Sequence, residues 1–240
     1  MKNYYLLSIL RSFCLLTVLF APASFHSYAK DSYKIDTNLE ESIRWYTGET
    51  GKVDDPKAKT LLETAALTKD PLAVMWIARV HSTGRMGYPA DKDKAIEIAK
   101  GVIAQVEELA EQQVPEATFL MGTAYAEGLG KHKDPQQAVI WYRRAALLGN
   151  VLAQHNLGNA YSSGTGIEQN YELAAKWWLM AAEQGDAIPQ YQLGVLYETG
   201  KGVNKDLDVA KSWYQNSATR GYIKAKTALG RLNRIERLNR

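Results

Sequence analysis

A period of 36 residues in the second half of the chain constrains its fold more than any other feature. Glycines and tryptophans recur at this spacing without a slip: Gly122, Gly158, Gly194 and Gly230, with Trp141, Trp177 and Trp213. Tyrosines, glycine pairs and alanines keep the same spacing: Tyr125, Tyr161 and Tyr197; Gly128, Gly164 and Gly200; Ala138, Ala174 and Ala210. A fixed period in this range indicates stacked supersecondary units rather than one globular core.

Each unit has the pattern of two helices. Ala153, Leu157 and Tyr161 share one face of a first helix predicted over 151–163, and Gly164 suits the left-handed residue that closes it. Asn170 then occupies the N-cap position of a second helix predicted over 171–184. That helix aligns small residues and large rings along one stripe: Ala174, Trp177, Trp178, Ala181 and Ala182. Small residues facing rings predict two closely packed helices.

The repeat continues upstream in a less regular form. Ala58, Ala95 and Ala138 mark one position, but the last interval is seven residues longer than the period, so we expect a lengthened helix ending near Glu111. The pattern predicts an all-α solenoid of about five helix-turn-helix repeats with a C-terminal capping helix. The predicted units are 38–70, 71–114, 115–150, 151–186 and 187–222, and the cap is 223–240.

The segment Gly200-Lys201-Gly202 has some likeness to a phosphate-binding loop. The corresponding positions in the other units read Gly128-Leu129-Gly130 and Gly164-Thr165-Gly166, so the position of Lys201 also takes leucine and threonine. The complete spacing, with Lys-Ser or Lys-Thr after the second glycine, is also missing. We therefore interpret the segment as a structural turn.

The first 29 residues have the pattern of an export signal. Lys2 and Arg11 supply positive charge, an apolar stretch follows over 12–23, and Ser27-Tyr28-Ala29 offers a cleavage site after Ala29. An uncleaved membrane anchor is the alternative, although the apolar run is short for a membrane span. We expect an N-terminal tail over 30–37 and an exported protein, located in the periplasm or secreted.

Charge and cysteine content limit the remaining function classes. The formal net charge of the chain is +3, and removal of 1–29 leaves 27 basic against 26 acidic residues, a charge of +1, which gives no support to nucleic-acid binding. Cys14 is the only cysteine and would leave with the signal, so disulfides, thiolate catalysis and cysteine-bound metal are not expected.

No catalytic constellation is recognisable in the sequence. His81, His132 and His155 occupy unrelated repeat positions; we expect His81 to be packed and His132 to be solvated in a turn. The motifs HExxH and G-x-S-x-G are absent, and the capping roles of Asp134 and Asp206 leave no carboxylate pair to single out. We therefore predict a protein that is not an enzyme and that uses no cofactor or metal.

The motifs "LGNAYSSGTGIEQNYELAAKWWLMAAEQG" and "LGVLYETGKGVNKDLDVAKSWYQNSATRG" resemble those of the SEL-like repeat family, a relative of tetratricopeptide repeats. The resemblance is strong over 115–230 and looser over 38–114. It implies a right-handed α-solenoid that acts as an adaptor, and for exported bacterial members a role in envelope assembly, signalling or host contact. Some cysteine-rich exported members are linked to β-lactam binding or hydrolysis, but this chain lacks their cysteines.

In such solenoids the first helices of successive units line a concave wall. Positions three before and one after each signature glycine, or Ala78 in the looser unit, project from that wall. They give ten candidate contact residues: Met75, Arg79, Phe119, Thr123, His155, Asn159, Tyr191, Val195, Thr227 and Arg231. Aromatic and arginine side chains dominate binding hot spots, so we predict a groove for a protein or peptide segment. Core packing is the alternative role for Phe119 and Tyr191.

Two other functions remain possible from the sequence. Tryptophans, tyrosines and a basic end could bind a cell-wall glycan such as peptidoglycan or an exopolysaccharide, and hydrolysis of wall or antibiotic substrates is a weaker alternative. The C-terminal helix carries a net charge of +5 from Lys224 onward, which serves either as a solvated cap or as a contact for an anionic ligand.

The signature glycines and tryptophans are assigned to the fold, since they repeat in every regular unit. A buried tryptophan ring covers about 150 to 250 Å², so we expect Trp177→Ala to destabilise the protein by about 3 to 5 kcal/mol.

Overall fold

The computed structural model describes residues 33–238, and within that range all regular structure is helical. The helices are α1 (Thr37–Thr47), α2 (Asp55–Ala66), α3 (Pro71–Thr83), α4 (Lys92–Lys100), α5 (Ile103–Glu111), α6 (Pro115–Glu127), α7 (Pro135–Leu147), α8 (Val151–Ser163), α9 (Tyr171–Glu183), α10 (Ala187–Thr199), α11 (Leu207–Thr219) and α12 (Ile223–Leu238). Consecutive helices pack as hairpins, and each hairpin packs on the next. The predicted all-α repeat solenoid is confirmed. The predicted export signal lies outside the described residues.

The helix ends follow the local sequence. Asn170 begins α9, and its side-chain oxygen accepts a hydrogen bond from the N–H of Leu173 at 2.9 Å. Its backbone N–H donates to the carbonyl of Tyr161 at 2.8 Å, which ties the turn to the end of α8. Asp134 and Asp206 do the same at α7 and α11, so the predicted caps are confirmed.

The turn between α10 and α11 has a structural role. Gly200 ends α10 in the left-handed conformation. Gly202 lies so close to the start of α9 that a Cβ placed on it would be 2.4 Å from the carbonyl carbon of Tyr171. Lys201 extends over the ring of Tyr171, with its Nζ 5.3 Å from the ring centroid. The second glycine is therefore needed for packing between units, as the turn interpretation requires.

The two helices of each regular unit meet where a glycine faces an aromatic ring. A Cβ on Gly158 would lie 2.4 Å from Trp178 Cδ1, and Gly122 and Gly194 are equally close to Tyr142 and Tyr214. These close contacts involve the residue after each signature tryptophan. The expected burial is therefore wrong for Trp177 and Trp213, which stay partly exposed, whereas Trp141 is buried. One helical step turns Trp177 and Trp213 away from the glycine that the following ring contacts.

Buried polar side chains link one unit to the next. Gln154 and Gln190 donate hydrogen bonds to the carbonyls of Ala146 and Ala182, at 3.3 and 3.0 Å. In each case the acceptor is eight residues earlier, in the last turn of the preceding helix. Thr118 occupies the same repeat position and lies 3.4 Å from the carbonyl of Ala110. Each of these carbonyls also accepts a backbone N–H from the turn after its helix, so the side chain adds a second bond that joins the units.

The seven additional residues form a separate helix and do not lengthen α4. Lys100 ends α4, and Gly101 and Val102 form a turn before α5. The expectation of one long helix ending near Glu111 is therefore wrong. Glycine is a poor helix former, and the break lets Val106 and Ala110 of α5 become fully buried beside α6.

The first and last parts of the described chain are in direct contact. The backbone N–H of Val53, in the loop between α1 and α2, donates to the carbonyl of Arg220 at 2.9 Å. In return, the Arg220 guanidinium donates to the carbonyl of Gly48 at 3.1 Å. The α1–α2 loop therefore meets the end of α11 and covers part of the surface that the first helices line.

Candidate functional site

The structure divides the ten candidate contact residues among three environments. Met75, Phe119 and Thr123 lie in the core, with at most 1% of their surface exposed, so the expectation that they project into a groove is wrong. Phe119 packs between Trp76 and Tyr142, with both ring centroids 6.0 Å away. The first unit supplies part of this cover, because the ring of Tyr46 meets the edge of Trp76 at 6.2 Å.

Three further candidates, Arg79, His155 and Asn159, line a cavity of about 380 Å³. We call it the Arg79 cavity. Its walls come from α1, α2, α3, α8, the start of α10 and the residues before α12, and include Tyr46, Asp55, Arg85, Asn156, Asp186 and Tyr222. The contact between the α1–α2 loop and the end of α11 lies beside this space, since Val53 and Tyr222 both line it.

Arg79 is the most unusual residue of the cavity. Only 3% of its surface is exposed, yet its Nε and Nη1 have no hydrogen-bond partner among the described residues. Aromatic rings surround the guanidinium, with the centroids of Trp76, Phe119 and Tyr46 at 4.4, 5.2 and 5.8 Å. Burial, together with the positive charge of Arg85, lowers the pKa of Arg79.

The other two candidates in the cavity are held by neighbouring side chains. His155 Nδ1 lies 2.9 Å from Oδ2 of Asp186, which is 2% exposed and also caps α10 through the N–H of Ile188. Asn159 accepts a hydrogen bond from the indole N–H of Trp178 at 3.1 Å. Both side chains therefore have fixed positions on the cavity wall.

The last four candidates lie together in an open groove between α10 and α12. Tyr191, Val195, Thr227 and Arg231 line it, with a volume of about 490 Å³, and we call it the C-terminal groove. The ring of Tyr191 contacts the rings of Tyr214 and Tyr222, with centroids 5.5 and 5.3 Å apart. The structure therefore brings these four candidates together in one groove.

An ion pair fixes one side of the C-terminal groove. Arg231 Nη2 lies 2.6 and 2.7 Å from the two carboxylate oxygens of Glu198, which also accepts a hydrogen bond from the hydroxyl of Tyr214 at 2.7 Å. Partial burial alone would raise the pKa of Glu198, but the bonds from Arg231 and Tyr214 hold it below its usual value. The pair positions Arg231 at the mouth of the groove, where it is exposed.

Glu116 is a buried acidic residue that the sequence analysis missed. It is 4% exposed and accepts hydrogen bonds from the indole N–H of Trp76 at 2.6 Å and the amide of Asn150 at 2.8 Å. Burial raises its pKa to about 7, against the opposing effect of these two bonds. Its position at the start of α6 resembles an ordinary first-turn acid, so no signal in the sequence distinguishes it.

Asp186 and Arg220 were also missed, although Asp186 carried a signal. It lies 36 residues after Asn150, the N-cap of α8, and the same cap role could have been inferred from that spacing. Arg220 bonds to a segment 172 residues earlier in the chain, and the repeat pattern contains no information about such a contact.

Residues 33–238 offer neither a cluster of metal ligands nor a membrane-spanning helix. That part of the chain contains no group of three or more His, Cys, Asp or Glu side chains that could hold a metal ion. None of the helices in the same range has both the length and the apolar character needed to cross a membrane.

Comparisons with known proteins agree with the geometry. The Sel1 repeat model matches residues 71–100, 115–150, 151–186 and 190–222. A Sel1 repeat protein from Oxalobacter formigenes is 30% identical, with a TM-score of 0.53 over 81% of this chain and 76% of that one. A protective antigen of uropathogenic Escherichia coli with an SLR fold is also 30% identical, with a TM-score of 0.51, but the match spans 80% of this chain and only 39% of that one. No curated protein matches the chain. The chain belongs to the Sel1 repeat family, whose members are generally non-catalytic scaffolds suited to protein–protein interaction.

Proposed function

We propose that this protein is an exported, non-enzymatic scaffold that binds an extended segment of a partner protein in the C-terminal groove. The observation that carries the proposal is the clustering of four candidate contact residues, Tyr191, Val195, Thr227 and Arg231, in one accessible place. The other six candidates lie in the core or in the Arg79 cavity, so the groove is the part of the predicted binding wall open to a chain.

The groove has the composition of a protein-binding surface. Tyr191 and Val195 offer partly buried apolar surface, and Ile223 at the rim is 75% exposed. Lys224 and Arg231 supply positive charge at the rim of this apolar floor, with Arg231 paired to Glu198. Apolar anchors at the centre and charges at the rim are the usual arrangement of an interface. We therefore expect a partner segment with an apolar residue for the floor and acidic residues beside it.

Export is part of the proposal and rests on the sequence of residues 1–29. The periplasm is the proposed location, with roles in envelope assembly, signalling or host contact. Cell fractionation and N-terminal sequencing would test it: a periplasmic protein that begins at Lys30 agrees, and a cytoplasmic protein that keeps residue 1 contradicts it.

A substitution that fills the C-terminal groove tests whether the partner binds there. Thr227 is exposed in the groove, and Lys226 is exposed beside it on the same helix, outside the groove lining. We expect Thr227→Trp to reduce partner recovery at least tenfold after crosslinking in cells, because the indole fills the groove. Lys226→Trp serves as the matched control and should recover the partner as the parent does.

The same experiment separates the protein partner from the alternatives. Equal recovery by Thr227→Trp and the parent, with circular dichroism showing both folded, would contradict binding in the groove. Sedimentation with purified cell wall would support the glycan alternative if the parent co-pelleted and Thr227→Trp did not.

A further inference from the structure

The Arg79 cavity holds a feature that the scaffold role does not use. Buried charged groups in folded proteins are paired or bonded, because loss of hydration without compensation is costly. Arg79 is 97% removed from solvent, yet two of its guanidinium nitrogens lack an acceptor among the described residues. An orphaned buried cation facing a cavity indicates that the acceptor comes from a bound molecule.

The rings around Arg79 hold the guanidinium in place but do not satisfy it. Trp76 and Phe119 attract its positive charge through their faces, at centroid distances of 4.4 and 5.2 Å. Ring faces are poor hydrogen-bond acceptors, so Nε and Nη1 stay without a bonded partner. Both nitrogens are shielded from solvent, so an acceptor in the cavity reaches them only when the side chain shifts toward it.

The remaining charges around the cavity favour a singly charged acceptor. Arg79, Arg85 and Asp55 line the same cavity, while His155 Nδ1 and Asp186 Oδ2 lie 2.9 Å apart. The two aspartates repel a dianion more strongly than a monoanion, so the two arginines favour a monoanion. A planar carboxylate also matches the geometry of a guanidinium.

The walls beyond the charged groups suit an organic molecule. Leu152, Ile188 and Val53 contribute apolar surface, and Asn156 and Asn159 contribute amides. A volume of about 380 Å³ is within the range of small-molecule sites. We propose that the Arg79 cavity binds the carboxylate group of a small organic acid or of a peptide chain end, with Arg79 as its principal partner.

Glu127 and Glu116 are acidic groups near Arg79, but Glu116 is already bonded to Trp76 and Asn150, which leaves Glu127 as the acid to test. Its Oε2 is also buried without a partner, and its charge acts on Arg79, but no ion pair joins the two side chains within 4.0 Å. If the two were paired in solution, Glu127→Gln would free Arg79 and create carboxylate binding that the parent lacks. The proposal predicts instead that the parent binds and that Glu127→Gln changes the affinity less than threefold.

Calorimetric titration of the full chain tests the site with defined probes: N-acetyl-trialanine as the free acid, its C-terminal amide, acetate and inorganic phosphate. We expect the free acid or acetate to bind at least tenfold more tightly than the amide and phosphate. Tighter binding of the tripeptide acid than of acetate would identify a chain end as the source, and equal binding a small acid.

Substitutions of arginine complete the test. Arg79→Met should weaken binding of the acid at least tenfold and leave the melting temperature equal or higher, because it removes an unpaired buried charge. Arg144→Met is the matched control, since Arg144 lies 4.2 Å from the Trp141 ring centroid but outside the cavity. No binding of either carboxylate at 10 mM, equal binding of acid and amide, or unchanged binding by Arg79→Met would overturn the proposal. The groove variant Thr227→Trp does not touch this cavity, so failure here leaves the proposed scaffold function unaffected.

Discussion

At the scale of the residue, the second ring of each Trp-aromatic pair carries the packing of the hairpin. Trp178 is 3% exposed and touches Gly158, whereas Trp177 is only partly buried. We expect Trp178→Ala to lower the free energy of unfolding by about 3 to 5 kcal/mol, and Trp177→Ala by about half as much or less. Urea denaturation of the two variants provides the comparison. A larger loss for Trp177→Ala would contradict this assignment of the rings.

Glu116 gives the stability of the protein a specific pH dependence. Its pKa is about 7 in the folded protein and 4.5 in the unfolded chain, so between these values the folded state keeps a proton that the unfolded state has lost. The contribution of Glu116 to stability is therefore full below pH 4.5 and declines as the pH rises toward 7, by about 3 kcal/mol in total.

The variant Glu116→Gln removes this titration. Relative to the parent, its free energy of unfolding should rise by about 3 kcal/mol between pH 4 and pH 8, whatever constant cost the new amide adds beside Asn150. Denaturation curves of both proteins across that range measure the difference. A difference that stays constant with pH would show that folding leaves the pKa of Glu116 at its unfolded value.

At the scale of the element, the glycine at one repeat position has different surroundings in different helices. Gly158 in α8 faces a ring at 2.4 Å, but Gly230 in α12, 72 residues later, has nothing within 4 Å of an added Cβ. No further hairpin follows α12 in the described chain to supply a ring. The repeat position is therefore kept in α12 without its packing partner.

The two glycines predict opposite effects of one substitution. Gly158→Ala should destabilise by about 1 to 3 kcal/mol, because the methyl group overlaps Trp178. Gly230→Ala should stabilise by up to about 1 kcal/mol, because alanine is the better helix former and the space is open. Thermal unfolding of the two variants measures both stability changes. A loss of stability in both variants would contradict the prediction of opposite effects.

The helices themselves were predictable, because their signals are local and repeated. The cap residues Asn170 and Asp206, the left-handed Gly164 and the alternation of small and large residues mark every regular hairpin. The break at Gly101 was not predicted, since one glycine in a helical pattern is compatible with either a break or a continuous helix. Burial of Val106 and Ala110 beside α6 decides between them, and that depends on tertiary contacts.

At the scale of the whole molecule, the sequence pattern accounts for some of the candidate contact residues and not for others. The C-terminal groove follows from the repeat, because equivalent positions on successive first helices become neighbours. The burial of Met75, Phe119 and Thr123 does not follow, since it depends on tertiary packing such as that of Phe119 between Trp76 and Tyr142. A repeat pattern specifies how one unit meets the next, but not where the ends of the array meet.

The contact between the α1–α2 loop and the end of α11 brings together the two ends of the repeat array beside the Arg79 cavity and leaves the C-terminal groove open. A Cβ on Gly48 would lie 3.7 Å from the Cβ of Ala187, a distance that a disulfide can bridge. Gly51 has nothing within 4 Å of such a Cβ, and both glycines have positive φ angles, so Gly51 provides a control with similar backbone strain.

The decisive measurement is disulfide formation in the full chain carrying Cys14→Ser, Gly48→Cys and Ala187→Cys, followed by non-reducing electrophoresis and peptide mapping. If the two ends are in contact, we expect a nearly complete intramolecular disulfide between positions 48 and 187 under mild oxidation. We expect little or none when Gly51→Cys replaces Gly48→Cys. Thiols that stay free in the first variant, or equal crosslinking in both, would contradict the contact between the ends.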